Sequence, residues 1–380
     1  MTDQLYLDYC ATTPIHPTVR EAMLPALGDL YGNPSSLHWA GRQAAASLQT
    51  ARQQVADLVG AQPGEVVFTS GATEANNLAL RGVMQTHAPG TAHLITTQIE
   101  HHAVLHTALW LESAGYTVTY LPVDGEGLVD PDDLRQAIRP DTVLISIMMV
   151  NNEVGTVQPV RTIGQIAHEH GILFHTDAVQ GAGLLDVDLP SMEIDLLVLS
   201  AHKLYGPKGS GALVVREGVQ LDPILFGGAQ EHLLRAGTEN VPGIVGLGAA
   251  AALMHSNKST ERRRLRDLRQ HLIDQLSATI PAVCFNGPQQ AVVPHVLSAS
   301  FPGTDGEMML FRLNQNGIAL SMGSACTSES IEPSHVLLAM GLPLEHIEGT
   351  LRISLGLPTT ADDIDYFARC LPDIVEYCPR

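Results

Sequence analysis

The sequence predicts an α/β fold: a mostly parallel, seven-stranded sheet in a large domain, with a smaller α+β domain after it. Three observations carry this. Between residues 64 and 215, short apolar runs alternate with helix-length amphipathic stretches, the order of a parallel sheet covered by helices. Several of the runs are uninterrupted by polar residues until their last positions, as strands buried on both faces should be. Polar motifs follow five of them, and a parallel sheet lines up the carboxyl ends of its strands along one edge, where ligands bind.

Residues 1–16 read as an extended arm, with small residues near Cys10-Ala-Thr-Thr-Pro14 for close backbone approach. His16 to Leu30 is a helix and Tyr31-Gly-Asn-Pro-Ser-Ser36 a loop. A long helix starts at Ser36 or His38 and runs to Val59, with Ala, Leu and Val at helical spacing. Strands follow at Val66–Thr69, Leu94–Thr97, Val118–Leu121, Val143–Val150, Ile172–His175, Leu196–Ser200 and Ala212–Val215. Helices fall between them at 74–88, 102–114, 131–139 and 161–170. Val241 to Ser277 is one long helical region, and its basic segment, Glu261-Arg-Arg-Arg-Leu-Arg-Asp267, is expected on a solvated face. After residue 280, strands (Ala282–Phe285, Val296–Phe301, Ile318–Leu320, Thr350–Ser354) mix with helices near 305–316, 333–340 and 361–376. The expected division is a large domain over 15–255 and a small one built from 1–14 and 256–380.

At 380 residues the chain can bury two sizeable cores. Its formal charge of −19 argues against tight non-specific nucleic-acid binding and against an anionic membrane surface. No apolar run reaches the length of a membrane span, and the start lacks a signal peptide's basic region and apolar core. The five cysteines, Cys10, Cys284, Cys326, Cys370 and Cys378, are odd in number and widely spaced, which indicates free thiols in a reducing cytoplasm. Cys284 lies in an apolar setting and is expected in the core. Cys326 stands among small polar residues, Gly323-Ser-Ala-Cys-Thr-Ser328, which leave a thiol accessible.

Lysine is scarce: Lys203, Lys208 and Lys258 are the three in the chain, and two of them border one glycine-rich turn. A lysine at the end of a buried strand, crowded by His202 and Lys208, is expected to have its amine pKa lowered and to serve as a Schiff-base nucleophile. The other strand ends carry Thr69-Ser-Gly-Ala-Thr-Glu-Ala-Asn76, Glu100-His-His102, Asn151-Asn-Glu-Val-Gly155 and Thr176-Asp-Ala-Val-Gln180. This inventory matches pyridoxal 5'-phosphate, which needs a lysine for its aldehyde, a helix N-terminus with hydroxyls for its phosphate and a carboxylate for its ring nitrogen. Lys203 takes the first role. Gly71, Ala72 and Thr73, with Ser200 and His202, take the second, and Asp177 the third. Gln180 is placed to donate to the ring oxygen, and His101 to stack on the ring and shuttle protons.

Taken together with His-Lys-x-Tyr-Gly-Pro-Lys-Gly (202–209), Arg235-Ala-Gly-Thr-Glu-Asn240 and the segment around Cys326, these motifs resemble those of the NifS/IscS-like cysteine desulfurases. Those are pyridoxal-phosphate enzymes of the aminotransferase class V family, with the fold-type-I architecture. The resemblance runs in the family's order from Leu5 to about Tyr366. It implies conversion of L-cysteine to L-alanine, with Lys203 and His101 moving protons and Cys326 taking the sulfur as a persulfide. It further implies that Asn33, Asn152 and Arg352 hold the substrate carboxylate, with Asn152 also touching the cofactor. Thr238 matches a residue that reaches the phosphate of the neighbouring subunit, which implies a homodimer. The Cys326 loop, about 322–332, has the family's long form. That form is similar to the group serving iron–sulfur cluster assembly and thio-modification, and implies a sulfur-acceptor protein as partner.

This sequence departs from the family at Cys10, where alanine is common, at Met322 for serine and at Ala201 for glycine. Cys10 reads as a small buried filler or as a second sulfur-handling thiol. The chain ends at Arg380 without the tail by which housekeeping members dock a scaffold, so delivery to a scaffold stays open. Other readings of the same residues also stay open: a selenocysteine or cysteine lyase of the same fold, and a non-catalytic sulfur-relay or scaffold protein. His101-His102-x-x-x-His106 is weighed as a metal site and set aside, because no carboxylate-rich surround accompanies it.

Overall fold

The computed structural model describes residues 4–323 and 333–379; Cys326 and its neighbours 324–332 lie outside the described residues. The arm forms β1 (Leu5–Tyr6), and α1 (Pro17–Leu27) and α2 (Trp39–Val59) follow. α1 opens on Pro17, whose fixed φ suits a first helical turn, and the His16 ring accepts from Thr18 N. α2 stops at Gly60, which takes a left-handed φ of 70°. The sheet is then laid down as β2 (Val66–Thr69), α3 (Ala72–Met84), β3 (His93–Thr97), α4 (His102–Ser113), β4 (Thr117–Leu121), α5 (Pro131–Ala137), β5 (Thr142–Ser146), α6 (Val160–Glu169), β6 (Leu173–Asp177), β7 (Leu196–Ser200) and β8 (Gly211–Val215).

In space the order is β2-β8-β7-β6-β5-β3-β4. Of these seven, β8 alone runs against the rest, antiparallel to β2 and β7. The ends of β2, β3, β5, β6 and β7 therefore share one edge. β7 shows why its run is uninterrupted: Leu196 and Val198 pack into the core under α3 and α4, while Leu197 and Leu199 pack into the core on the opposite face. Each of these side chains is fully buried and contributes on the order of 1.5–3 kcal/mol of transfer free energy.

α7 (Val241–Thr279) is a single helix that runs through the expected domain boundary and packs along α1 and α2. Beyond it come β9 (Cys284–Asn286), β10 (Val296–Ser300), α8 (Gly306–Gln315), β11 (Ile318–Ala319), α9 (His335–Ala339), α10 (Leu344–Glu348), β12 (Thr350–Ser354) and α11 (Ala361–Glu376). β12, β10 and β9 form an antiparallel sheet in that order. β1 pairs in parallel with β11, which draws the arm to the last third of the chain. Among the described residues no helix is long and apolar enough to cross a membrane.

Three expectations need correction. The basic segment of α7 is not simply a solvated face: Arg264 donates to the carbonyls of Gly356 (2.9 Å) and Thr359 (2.7 Å), and Arg262 pairs with Asp186 at 2.9 Å. Arg264 thus ties α7 to the turn between β12 and α11. Cys284 is only partly buried, because β9 is an edge strand of the small sheet. β5 also ends at Ser146 rather than Val150. Its apolar run continues as irregular backbone tied to β6, with Ile147 N on His175 O (3.1 Å) and Met149 N on Asp177 O (2.9 Å).

Candidate active site

The ends of β2, β3, β5, β6 and β7 surround a cavity of about 470 Å³. Gly71, Ala72, Thr73, His101, Asn152, Asp177, Gln180, Ser200, His202, Lys203 and Arg352 all line it. Two expected residues do not. Asn33 is exposed in the loop before α2, its Oδ1 turned to Ser35 N (2.9 Å), and Thr238 is exposed outside the cavity of its own chain.

The floor at one end is the start of α3. Gly71 stands at its cap position and no side chain caps it, so the first-turn N–H groups open toward the cavity with the positive end of the helix dipole. The cup depends on close backbone approach. A Cβ on Gly211 of β8 would lie 2.7 Å from Gly71 Cα and 2.8 Å from Leu199 O, so only glycine fits there. Glu74 reinforces the turn by accepting from Ser70 N at 2.8 Å while pairing with Arg235 at 2.8 Å.

Lys203 closes a single 3₁₀ turn, Ala201–Lys203, that starts where β7 ends. Its Nζ donates to the carbonyls of Cys10 and of Ala11 (2.9 Å), so the arm receives the amine. Asp177, the last residue of β6, is nearly buried, with Oδ2 accepting from Asn76 Nδ2 at 2.8 Å and Oδ1 from Val179 N at 3.0 Å. Asn76 comes from α3, so the helix that offers the anion cup also fixes the carboxylate.

His101 sits at the cap of α4, where its Nδ1 accepts from Ala103 N at 3.1 Å. A neutral ring with Nδ1 occupied as acceptor carries its proton on Nε2. Burial lowers its pKa, and Lys203, His102 and His335 add to this against the opposing charge of Asp177. Burial likewise pulls His202 down to about 4, with Lys203 and Lys208 adding to it. The His202 Nδ1 lies 3.1 Å from Thr12 Oγ1.

Arg352 reaches the cavity from β12. Its Nη2 donates to Asp8 at 3.0 Å and its Nη1 to the carbonyl of Asn152 at 3.2 Å, while Nε has no partner among the described residues. Below it Glu153 is fully buried, and its Oε2 accepts from Ser334 Oγ at 2.5 Å. Cys10 is buried beside this group. Its N–H donates to Ser354 Oγ at 3.0 Å, and burial raises its thiol pKa, opposed by Arg352 and Lys203.

Sequence reasoning missed Asn76, Asp8 and Glu153 as supporting residues. Asn76 stands inside the motif that gives the anion cup, one helical turn from Thr73, and that spacing is the one signal pointing to it. The His102 and His106 ring centroids lie 5.0 Å apart and those of His102 and His335 4.8 Å apart, tilted to one another, yet no group of three or more His, Cys, Asp or Glu among the described residues is arranged to hold a metal ion.

These residues fit pyridoxal phosphate: an open helix terminus, an amine at a strand end and a buried, oriented carboxylate meet in one cavity. Two of the chain's three lysines and Arg352 line it, in a protein of formal charge −19. The aminotransferase class-V family matches residues 5–367. The chain is 47% identical over 376 residues to a protein of Dictyoglomus turgidum named cysteine desulfurase IscS, covering 99% of this chain and 95% of that one. Its fold is similar to a solved NifS-like protein, with a TM-score of 0.93 and 38% identity, over 98% of this chain and 100% of that one. It is also similar to a structure described as SspA in complex with cysteine, with a TM-score of 0.82 and 40% identity, over 92% of this chain and 98% of that one. The fold and site define a pyridoxal-phosphate enzyme of fold type I. Within that class the chain belongs to the cysteine desulfurases of the aminotransferase class-V family.

Proposed function

We propose that this chain converts L-cysteine to L-alanine and keeps the sulfur on Cys326. The overall change, L-cysteine plus the Cys326 thiol giving L-alanine plus a Cys326 persulfide, balances atoms and electrons. The observation that carries the reading is the meeting of Lys203, Asp177 and the uncapped start of α3 in one cavity that Arg352 also enters.

Bound there, pyridoxal phosphate supplies an electron sink that weakens bonds at the carbons of an attached amino acid. The residues do the rest. Gly71, Ala72 and Thr73 hold the phosphate, with Ser200 and His202 beside them and Thr238 from a second subunit of a homodimer. Lys203 Nζ holds the group covalently and Asp177 keeps the ring nitrogen protonated. Arg352, with Asn152 and Asn33, holds the substrate carboxylate, and the guanidinium N–H groups left over from Asp8 and Asn152 suit a two-pronged contact. Lys203 Nζ takes and returns protons; His101, neutral with its proton on Nε2, donates one. Cys326 then passes its sulfur to an acceptor protein, in iron–sulfur cluster assembly or another thio-modification, in the cytoplasm. The large domain, 15–255, holds the cofactor, and the small one contributes Arg352 and the cysteine.

The test is an absorbance spectrum of the purified protein before and after L-cysteine, with alanine measured alongside. A visible band that changes on addition as alanine appears supports the reading. No band, even after pyridoxal phosphate is added, leaves the non-catalytic relay in its place. Cys326→Ser should keep the band and lose desulfuration; undiminished alanine from that variant would favour the lyase that needs no protein thiol.

A further inference from the structure

Gln180 can offer a donor to the cofactor only if its side-chain amide is turned the right way, and the structure shows what turns it. Its Oε1 lies 3.2 Å from His295 Nε2, and its Nε2 donates to Cys10 O at 3.1 Å. His295 leads into β10, is buried, and is held by Leu355 N donating to its carbonyl at 2.8 Å. Its Nδ1 has no partner among the described residues.

These contacts favour one arrangement. Turned over, the amide would set Oε1 against the Cys10 carbonyl, acceptor to acceptor. It would also need His295 Nε2 as an acceptor, which moves the ring proton to Nδ1, a buried donor with nothing to receive it. In the observed arrangement the proton is on Nε2, both contacts run donor to acceptor, and only a lone pair is left over. Burial, with the charges of Lys203 and Arg352, holds the ring neutral by drawing its pKa down to about 4. Gln180 keeps one N–H beyond its bond to Cys10, and it lines the cavity with Lys203.

We propose that His295 is a positioning residue whose Nε2–H holds the Gln180 oxygen away from the cavity, so that the remaining amide N–H meets the ring oxygen of bound pyridoxal phosphate. The small sheet would then supply two parts of the site: Arg352 for the substrate and His295 for the aim of a cofactor donor. This inference rests on placing the cofactor in the cavity as proposed above.

A donor at the ring oxygen favours the state in which the chromophore has lost its proton, so losing that donor raises the pH at which the visible band titrates. The shift expected is about half a unit to one unit, the size of one hydrogen bond. Lys203, Lys208, His101, His202, Asp177, Glu74, Cys10 and Arg352 also line the cavity and are the same in every variant, so differences report the Gln180 amide. The experiment titrates the band of the holoenzyme without substrate, and measures pyridoxal-phosphate dissociation by dialysis, for the wild type, His295→Leu and His295→Gln.

His295→Leu should raise the midpoint by that amount and weaken cofactor binding about threefold to tenfold. His295→Gln keeps an N–H and should stay near the wild type. A leucine variant that matches the wild type in both readings overturns the proposal, as does a glutamine variant that shifts as far as the leucine one. If His295→Leu does not fold, His295→Phe keeps the ring's bulk without its donor and is read in the same way. A wild type with no band sinks the cofactor placement and this inference together, whereas a wild-type band with an unmoved variant sinks this inference alone.

Discussion

Replacing Glu100 with glutamine should flatten the alkaline limb of the protein's stability. Glu100 is fully buried at the end of β3, with Oε1 accepting from Thr97 Oγ1 (2.9 Å) and Met148 N (2.8 Å) and Oε2 without a partner among the described residues. Burial outweighs these two bonds and, with the charge of Asp177 adding to it, raises the pKa to about 8. A glutamate in an unfolded chain ionises near pH ~4.3. Between the two values the folded state holds one proton more than the unfolded state. That contribution is complete below the unfolded pKa and is lost as pH rises through about 8. At pH 7 the buried group is roughly nine-tenths protonated and at pH 9 roughly one-tenth, so the fold loses about 1.4 kcal/mol between them. Glutamine has no such proton to lose. Urea unfolding followed at both pH values gives the comparison. His175, drawn down to about 3 by burial, does not titrate in this window, and the buried cysteines respond alike in both proteins. The wild type should lose about 1.4 kcal/mol more than Glu100→Gln on going from pH 7 to pH 9. Equal losses would refute a buried, protonated Glu100.

Asn76→Ala removes the donor to Asp177 Oδ2 and should weaken pyridoxal-phosphate binding about tenfold by dialysis, with on the order of 1–3 kcal/mol lost in unfolding. Gly211→Ala forces the strand away from Gly71 and should cost about 1–3 kcal/mol, with cofactor affinity falling alongside; calorimetry of apo and loaded protein separates the two. Arg352→Lys keeps the charge but loses the fork, so KM for cysteine should rise about tenfold to a hundredfold while the spectrum without substrate stays as it was. Lys203→Ala should abolish the visible band and lower alanine formation by roughly a thousandfold.

The order and kind of the large-sheet elements were legible because short apolar stretches, clearest in Leu196–Leu199 of β7, which is buried on both faces, alternate with helix-length segments. Lys203 and Asp177 were legible because each stands where such a run stops. Residues that complete the site through distant contacts left little trace. Asp8 meets Arg352 across almost the whole chain, and His295 meets Gln180 from another sheet. The basic stretch of α7 misled for a related reason. Arg264 bonds to backbone carbonyls near Gly356, and a carbonyl has no residue type to read. Cys284 misled because apolar neighbours do not reveal that a strand lies at an edge.

The first residues of the chain have a consequence for the order in which this protein can be made. Leu5 and Tyr6 pair with Ile318 and Ala319, Asp8 bridges to Ser354 and Arg352, and Cys10 N donates to Ser354. The carbonyls that receive Lys203 belong to the same stretch. On the ribosome these residues emerge before the large sheet and meet their partners only after that sheet has left the tunnel. The large sheet can condense early, but its lysine lacks a settled seat until β12 arrives. A chain made only as far as the large sheet would therefore hold a shaped but unfinished cavity, and sulfur chemistry would begin only once β12 has been added.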